Sequence, residues 1–255
     1  MSGAGNDFIL FDKKINAEIE LNAQIVNKIC KRRIGIGADG VLLVEDGSES
    51  EYIVKYYNSD GTTGSLCANG ARCAIKYAKE SGRVSDQLFE FWVNGVSYSG
   101  QVLENDFVKF YLNSPKDLKR NFKMKAGGQL INASYINTGS PHVVIKIKDV
   151  LRDTKNLNSF YKDINEFPVF NLGREIRYSS DFAPEGTNVN FIDIVDGVIF
   201  IRTYERGVED ETLACGTGSV AAAIVSYYNE GLVPPVKLIP KSSAELFVDF
   251  KIREA

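Results

Sequence analysis

Ser65-Leu66-Cys67-Ala68-Asn69-Gly70-Ala71-Arg72-Cys73 decides the reading of this chain, because Leu213-Ala214-Cys215-Gly216-Thr217-Gly218-Ser219 repeats its plan. Each stretch puts a cysteine at the mouth of a proline-free run, ARCAIKYAKE in the first and SVAAAIVSYY in the second. Both runs are rich in helix formers with an Ala/Ile/Val face. A thiol at a helix N-terminus sits beside unpaired backbone N–H groups and the positive end of the macrodipole. That setting draws a cysteine pKa from about 8.5 toward neutrality, so the thiol can move protons.

Sliding the sequence against itself at an offset of 148 residues brings Cys67 onto Cys215 and Gly70 onto Gly218. The same offset brings Ile53 onto Ile201, Tyr56 onto Tyr204, and Val41-Leu42-Leu43-Val44 onto Val189-Asn190-Phe191-Ile192. Gly5-Asn6-Asp7-Phe8-Ile9 matches Gly139-Ser140-Pro141-His142-Val143 at an offset of 134, which implies a longer insertion in the second copy. Two similar halves follow, residues 1–114 carrying Cys67 and residues 129–255 carrying Cys215. The polar stretch 115–128, with Pro115 and Gly127-Gly128, reads as a solvated linker between them.

The chain has 255 residues, 44% of them hydrophobic, enough for two domains with proper cores. Its net charge of -3 gives no electrostatic case for nucleic acid or an anionic membrane. No apolar run approaches the roughly 20 residues of a membrane span, and no charged-then-apolar leader opens the chain, so a cytoplasmic protein is expected. Cys30, Cys67, Cys73 and Cys215 lack C-x-x-C spacing, and His142 is the one histidine, so no metal site is expected. Cys30 and Cys73 fall inside helix-like segments and read as small core residues.

Along the chain, Ile9 to Phe11 reads as a strand, Asn22 to Arg32 as a helix and Val41 to Val44 as a strand. Gly35-Ile36-Gly37-Ala38-Asp39-Gly40 spells G-x-G-x-x-G, but with the helix before it and the strand after it, the reverse of a dinucleotide site. A tight positive-φ turn is expected there. Residues 52–57 and two or three segments of 88–112, broken at Asn94-Gly95, read as strands. The second half predicts strands near 130–136, 143–147, 189–195, 198–204, 236–239 and 245–251, and a helical patch around 155–163. The first half opens without a counterpart of the 130–136 strand, and the second stops short of a counterpart to 107–112.

Two helix-mouth thiols in equivalent positions suggest a cleft in which one carbon of a small substrate is flanked from both faces. If that carbon is an amino-acid α-carbon, one thiolate takes its proton and the opposing thiol returns one to the other face. Backbone donors of 68–70 and 216–218 would bind the substrate carboxylate and stabilise the carbanion. No cofactor is needed for that chemistry.

At this point the motifs GAGNDF, GIGADG, N-S-D-G followed by L-C-A-N-G-A-R-C, T-G-S-P-H, P-E-G-T-N-V-N-F and Y-E-R-G-V-E-D-E-T-L-A-C-G-T-G resemble, in order from residue 3 to about 225, the diaminopimelate epimerase family. The resemblance implies an α/β fold of the α+β type. It has two pseudo-symmetric domains, each a curved, mostly antiparallel sheet around a central helix, with the active site between them. It implies cofactor-free interconversion of LL- and meso-diaminopimelate for lysine and peptidoglycan synthesis. Carried over by motif, Cys67 and Cys215 are the acid/base pair, and Asn6, Asn58 and Asn188 contact the substrate. Arg206 meets the distal carboxylate, Glu205 meets an ammonium group, and Asn69-Gly70 with Gly216-Thr217 hold the reacting carboxylate. His142 falls where the family has a histidine close to the cysteines.

Ser140 stands where the family usually has an asparagine, Gly40 where a glutamine is frequent, and Ala68 where a glycine follows the first cysteine. These exchanges touch substrate recognition rather than proton transfer. The family also carries terminal segments, a short opening strand and a closing Gly-Pro-Ala-rich stretch, that are not expected here. The resemblance implies a small amino-acid substrate and leaves a homodimer open. Other readings are a proline racemase-like enzyme, a phenazine-type isomerase, a thiol redox protein and a non-catalytic binding protein. The cysteine pair argues against the phenazine type, and Arg206 against the proline type.

Overall fold

The computed structural model describes residues 1–47, 52–63, 67–84 and 88–252, so Ser65 and Leu66 of the first cysteine stretch lie outside the described residues. The chain divides into two compact units, Met1–Asn113 and Ser114–Ala255.

In the first unit seven strands lie side by side in chain order: β1 (Ser2–Gly3), β2 (Asn6–Asp12), β3 (Gly40–Asp46), β4 (Tyr52–Asn58), β5 (Leu88–Val93), β6 (Val96–Val102) and β7 (Val108–Tyr111). Helix α1 (Ala23–Cys30) connects β2 to β3, and α2 (Ala68–Glu80) connects β4 to β5. Those two crossovers produce the parallel pairs, and the remaining neighbours are antiparallel. Asn94 and Gly95, both at positive φ, turn β5 into β6. Helix α2 touches β1, β2, β3, β4, β6 and β7, a reach from edge to edge that requires the sheet to curl around it.

The second unit repeats this plan with β9 (Gln129–Asn137), β10 (Pro141–Lys146), α3 (Val169–Arg177), β11 (Asn188–Val195), β12 (Val198–Glu205), α4 (Gly216–Glu230), β14 (Val236–Pro240) and β15 (Leu246–Val248). Strand β8 (Lys116–Ala126) joins the far edge, giving the order β15-β14-β12-β11-β10-β9-β8, and β13 (Asp210–Thr212) pairs with β12. Helix α4 is apolar on nearly every face because the sheet surrounds it; its residues from Ala221 to Ser226 are buried without a break. Gly231, at φ 73°, ends it in the left-handed conformation that suits glycine. No helix among the described residues is long and apolar enough to cross a membrane.

Several expectations change. Residues 116–126 form β8, antiparallel to β9, rather than a linker. Met124 and Ala126 of β8 are buried while its lysines face water, the alternation of an edge strand. Residues 155–163 are not helical: Asp153 and Asn156 side chains accept from the backbone N–H of Lys155 and Asn158, closing turns that compete with a helix. The helix begins after Pro168, where Val169, Leu172, Gly173 and Ile176 line one face. The opening strand expected to be missing is present as the two residues of β1.

The duplication also slips by one residue. Leu42 pairs with Tyr56 across β3 and β4, whereas Asn190 pairs with Thr203 across β11 and β12. The structural counterpart of Tyr56 is therefore Thr203, not Tyr204. Because side chains alternate faces, one step decides everything: Tyr56 packs in the core beside α2, and Tyr204 in the core beside α3.

Candidate active site

Each cysteine stretch ends a strand-to-helix connection, and Cys67 and Cys215 are the N-cap residues of α2 and α4. Both have extended backbones, and the first amides that follow them lack partners within the helix. All four cysteines are thiols. Cys30 and Cys73 are buried in the cores, and burial first of all pushes both of their pKa values up, which suits inert side chains.

In the first unit the side chains converge at the start of α2. Asn69 Nδ2 donates to Asn6 Oδ1 at 2.5 Å, and Asn6 Nδ2 donates to Asp39 Oδ2 at 3.1 Å. Asp39 also accepts from the backbone N–H of Asp7 and, with Asp7, from Arg32. Arg72 reaches Asn69 Oδ1 at 2.5 Å. Burial presses the Arg72 pKa down, while the sulfurs of Cys67 and Cys73 pull it the other way. Asn58 stands apart: its amide accepts from Tyr56 Oη at 2.8 Å and donates to Thr62 Oγ1 at 3.0 Å. Gly40 is its strand partner, and a Cβ there would stand 2.7 Å from the Tyr57 carbonyl oxygen. Gly70 packs its Cα side against Phe8 and Leu42.

The G-x-G-x-x-G stretch closes α1 instead of opening a helix. The N–H groups of Gly37 and Ala38 donate to the carbonyls of Ile29 and Cys30, and Gly37 has φ +84°. Those amides are used locally, and Asp39 is what the turn delivers to Asn6.

In the second unit Cys215, Thr217, His142, Ser140, Asn188 and Arg206 form one connected set, in which Asn188 Nδ2 lies 3.4 Å from Ser140 Oγ. Gly218 N–H donates to Cys215 Sγ at 3.4 Å, and Thr217 Oγ1 lies 3.5 Å from the same sulfur. Thr217 Oγ1 is 2.9 Å from His142 Nε2, which Ser140 Oγ also approaches at 3.0 Å. Asn188 Nδ2 donates to the Pro141 carbonyl at 2.9 Å, and its Oδ1 accepts the Arg206 N–H at 2.9 Å. The asparagine thereby fixes the backbone at Arg206, whose guanidinium reaches the carbonyl of Glu185 at 3.3 Å. Glu205 precedes it at the end of β12, half-buried. Gly216 is the first residue of α4.

His142 is fully buried; burial first, then the Arg206 charge, lower its pKa to about 3, so the ring is neutral at ordinary pH. Sequence reasoning missed Asn190 and Thr203, which lie behind it. The signal was present: at the 148-residue offset Asn190 takes the place of Leu42, a polar residue on a core position. Asp39 was missed too, hidden inside a motif read only as a turn.

The sequence matches the family described as Diaminopimelate epimerase over residues 1–115 and 134–248. It is 38% identical to the diaminopimelate epimerase of Aquifex aeolicus over 98% of this chain and 88% of that protein. It is 37% identical to that of Chlorobaculum tepidum over 89% of this chain and 82% of that protein. Among solved structures, a phenazine biosynthesis protein of the PhzF family from Bacillus anthracis aligns with a TM-score of 0.65 at 14% identity, covering 95% of this chain and 83% of that one. A hydroxyproline epimerase from Agrobacterium vitis aligns at 0.58 and 14% identity, covering 89% of this chain and 71% of that one. The two structural likenesses establish the pseudo-symmetric fold, and the sequence match over nearly the whole length establishes more: this chain belongs to the diaminopimelate epimerase family.

Proposed function

We propose that the chain interconverts LL- and meso-diaminopimelate without a cofactor, with Cys67 and Cys215 as its acid/base pair. One observation carries the reading: in a member of this family, cysteines 148 residues apart cap equivalent helices, α2 and α4. The thiolate of one cysteine takes the α-proton and becomes a thiol. The electron pair left on the α-carbon delocalises into the substrate carboxylate, whose oxygens the amides of Asn69-Gly70 and Gly216-Thr217 would hold. The thiol of the other cysteine delivers its proton to the opposite face, and the two sulfurs have exchanged protonation states. One proton has left and one has entered, with configuration inverted.

Arg206 suits a distal carboxylate because its planar fork can meet both oxygens, and Asn188 holds the backbone that presents it. Glu205 is assigned to a substrate ammonium group, and Asn6 and Asn58 to further substrate contacts. His142 and Ser140 support Thr217 and Cys215. The same reading makes the protein a cytoplasmic enzyme of lysine and peptidoglycan precursor synthesis, acting on a small amino acid and not on nucleic acid or membrane. The resemblance leaves a homodimer open, and sedimentation velocity of the protein alone tests it.

Proton NMR of the reduced protein with LL-diaminopimelate in deuterium oxide tests the reaction. Deuterium entering the α-position as the meso isomer accumulates is the expected result. Exchange with proline instead would favour a racemase of another specificity, and no exchange with a folded, reduced sample would sink the epimerase reading.

A further inference from the structure

Beneath Cys215, three strands bring together a buried polar set that replaces apolar residues of the first half. His142 of β10, Asn190 of β11 and Thr203 of β12 are 0%, 0% and 3% exposed. Strand register places them where the first unit has Phe8, Leu42 and Tyr56. Those three belong to the apolar core around α2. A core patch rebuilt from polar groups costs desolvation free energy that only complete hydrogen bonding offsets. The second half therefore carries this set for something other than packing.

The hydrogen bonds fix a direction. One terminal atom of the Asn190 amide lies 2.9 Å from the Val143 carbonyl oxygen, and a carbonyl can only accept, so that atom is Nδ2. The same nitrogen is 3.1 Å from His142 Nδ1, while Oδ1 accepts from Thr203 Oγ1 at 3.0 Å. His142 Nδ1 is then an acceptor, and the ring proton sits on Nε2, 2.9 Å from Thr217 Oγ1. Ser140 Oγ lies 3.0 Å from the same nitrogen and 3.4 Å from Thr217 Oγ1, so it is the competing acceptor; a ring proton given to Thr217 leaves that hydroxyl its own hydrogen for the sulfur. Cys215 Sγ lies 3.5 Å away and already accepts from Gly218 N–H.

We propose that Asn190 is a positioning residue for Cys215: by holding His142 in the Nε2–H tautomer it makes the Thr217 hydroxyl a donor to the sulfur. A donor aimed at sulfur favours the thiolate over the thiol. Thr203 anchors Asn190 from the far side, so the device runs from strand β12 through β11 and β10 to the mouth of α4. The charged group that acts on the ring is Arg206, and it adds to burial in keeping His142 neutral. The proposal rests on the reading of Cys215 as one of the two proton-transfer groups.

His142 is the one histidine of the chain, so a long-range proton–nitrogen-15 spectrum of labelled protein reports its tautomer without assignment. The expected result is a neutral ring with the proton on Nε2 from about pH 6 to 8. The Asn190→Leu variant copies Leu42 of the first half. It is expected to release the ring into exchange between tautomers and to lower kcat about tenfold with KM little changed. With carbon-13 at the cysteine β-carbons, the Cys215 titration midpoint is expected to move up by about one pH unit, and that of Cys67 to stay in place. Thr203→Val removes only the outer anchor and is expected to move the Cys215 midpoint the same way by less, which keeps the test open if Asn190→Leu fails to fold. A wild-type ring protonated on Nδ1 overturns the proposal. So does an active enzyme in which the folded variants leave the Cys215 midpoint and kcat unchanged. A wild-type protein whose tautomer is as stated but which turns over no diaminopimelate overturns instead the reading on which the proposal rests.

Discussion

Gly218 lies so close to Asn190 that a Cβ placed on it would stand 2.3 Å from the Asn190 Oδ1, whereas at the matching Gly70 the nearest atom, on the Phe8 ring, would be 3.3 Å away. Glycine is required in the second half by a polar side chain that three hydrogen bonds hold in place. Gly218→Ala is expected to destabilise by about 1–3 kcal/mol through overpacking, and Gly70→Ala by less, since an aromatic ring edge can shift a few tenths of an ångström. Urea midpoints of the two variants check the order; equal midpoints would contradict it.

Cys67→Ala and Cys215→Ala are each expected to keep the fold and to lower turnover of either isomer by at least about 10²-fold, the low end for loss of a positioned acid or base. Circular dichroism together with coupled assays in both directions checks this. Full turnover by either single variant would remove that cysteine from the mechanism.

Arg202 and Glu211 form a two-point ion pair at 2.6 and 2.7 Å, and Lys241 adds a third contact at 2.8 Å. Burial raises the Glu211 pKa, but the hydrogen bonds from Arg202 and Lys241 more than offset it, and the net direction is down. A carboxylate depressed in the folded state contributes stability above its unfolded pKa, near 4.5, and loses it as pH falls through the lower folded value. Glu211→Gln is expected to cost about 3 kcal/mol near neutral pH, the low end for breaking a buried pair because Arg202 keeps the carbonyls of Ile164 and Phe167. The loss should shrink below pH 4, as chemical denaturation at pH 7 and at pH 3.5 would reveal.

His142 is a base held neutral by burial, with its pKa near 3 in the folded protein against 6.5 in the open chain. Below about pH 6.5 the unfolded chain binds a proton that the folded chain refuses, so stability present above that pH is lost progressively as acid is added. Between about pH 6 and 5, above the range of the carboxylates, the expected slope approaches 1.4 kcal/mol per pH unit. A His142→Gln variant should show a flat profile over that interval, and an equal slope in both proteins would refute the assignment.

Much of this was legible in the sequence. Local propensity and periodicity placed α2, α4 and most strands, and the repeat at 148 residues identified the two cysteines as equivalent N-caps. Motif resemblance supplied the residues now found joined at Cys215, from Ser140 and His142 to Thr217. The errors share a cause. The stretch 115–128 looks like a linker because an edge strand shows only one face to a core, and 155–163 looks helical until side chains are seen capturing backbone amides.

The sequence by itself determined that two equivalent helices each begin with a cysteine, since helix formation and capping depend on neighbours along the chain. Only the tertiary structure decided that the two cysteines have different surroundings. The one-residue slip that sets Thr203 rather than Tyr204 opposite Asn190 is a matter of strand pairing. His142, Asn190 and Thr203 come from three strands, and an interstrand hydrogen bond has no local signature. Its geometry exists only after the sheet has chosen its register and curled around α4.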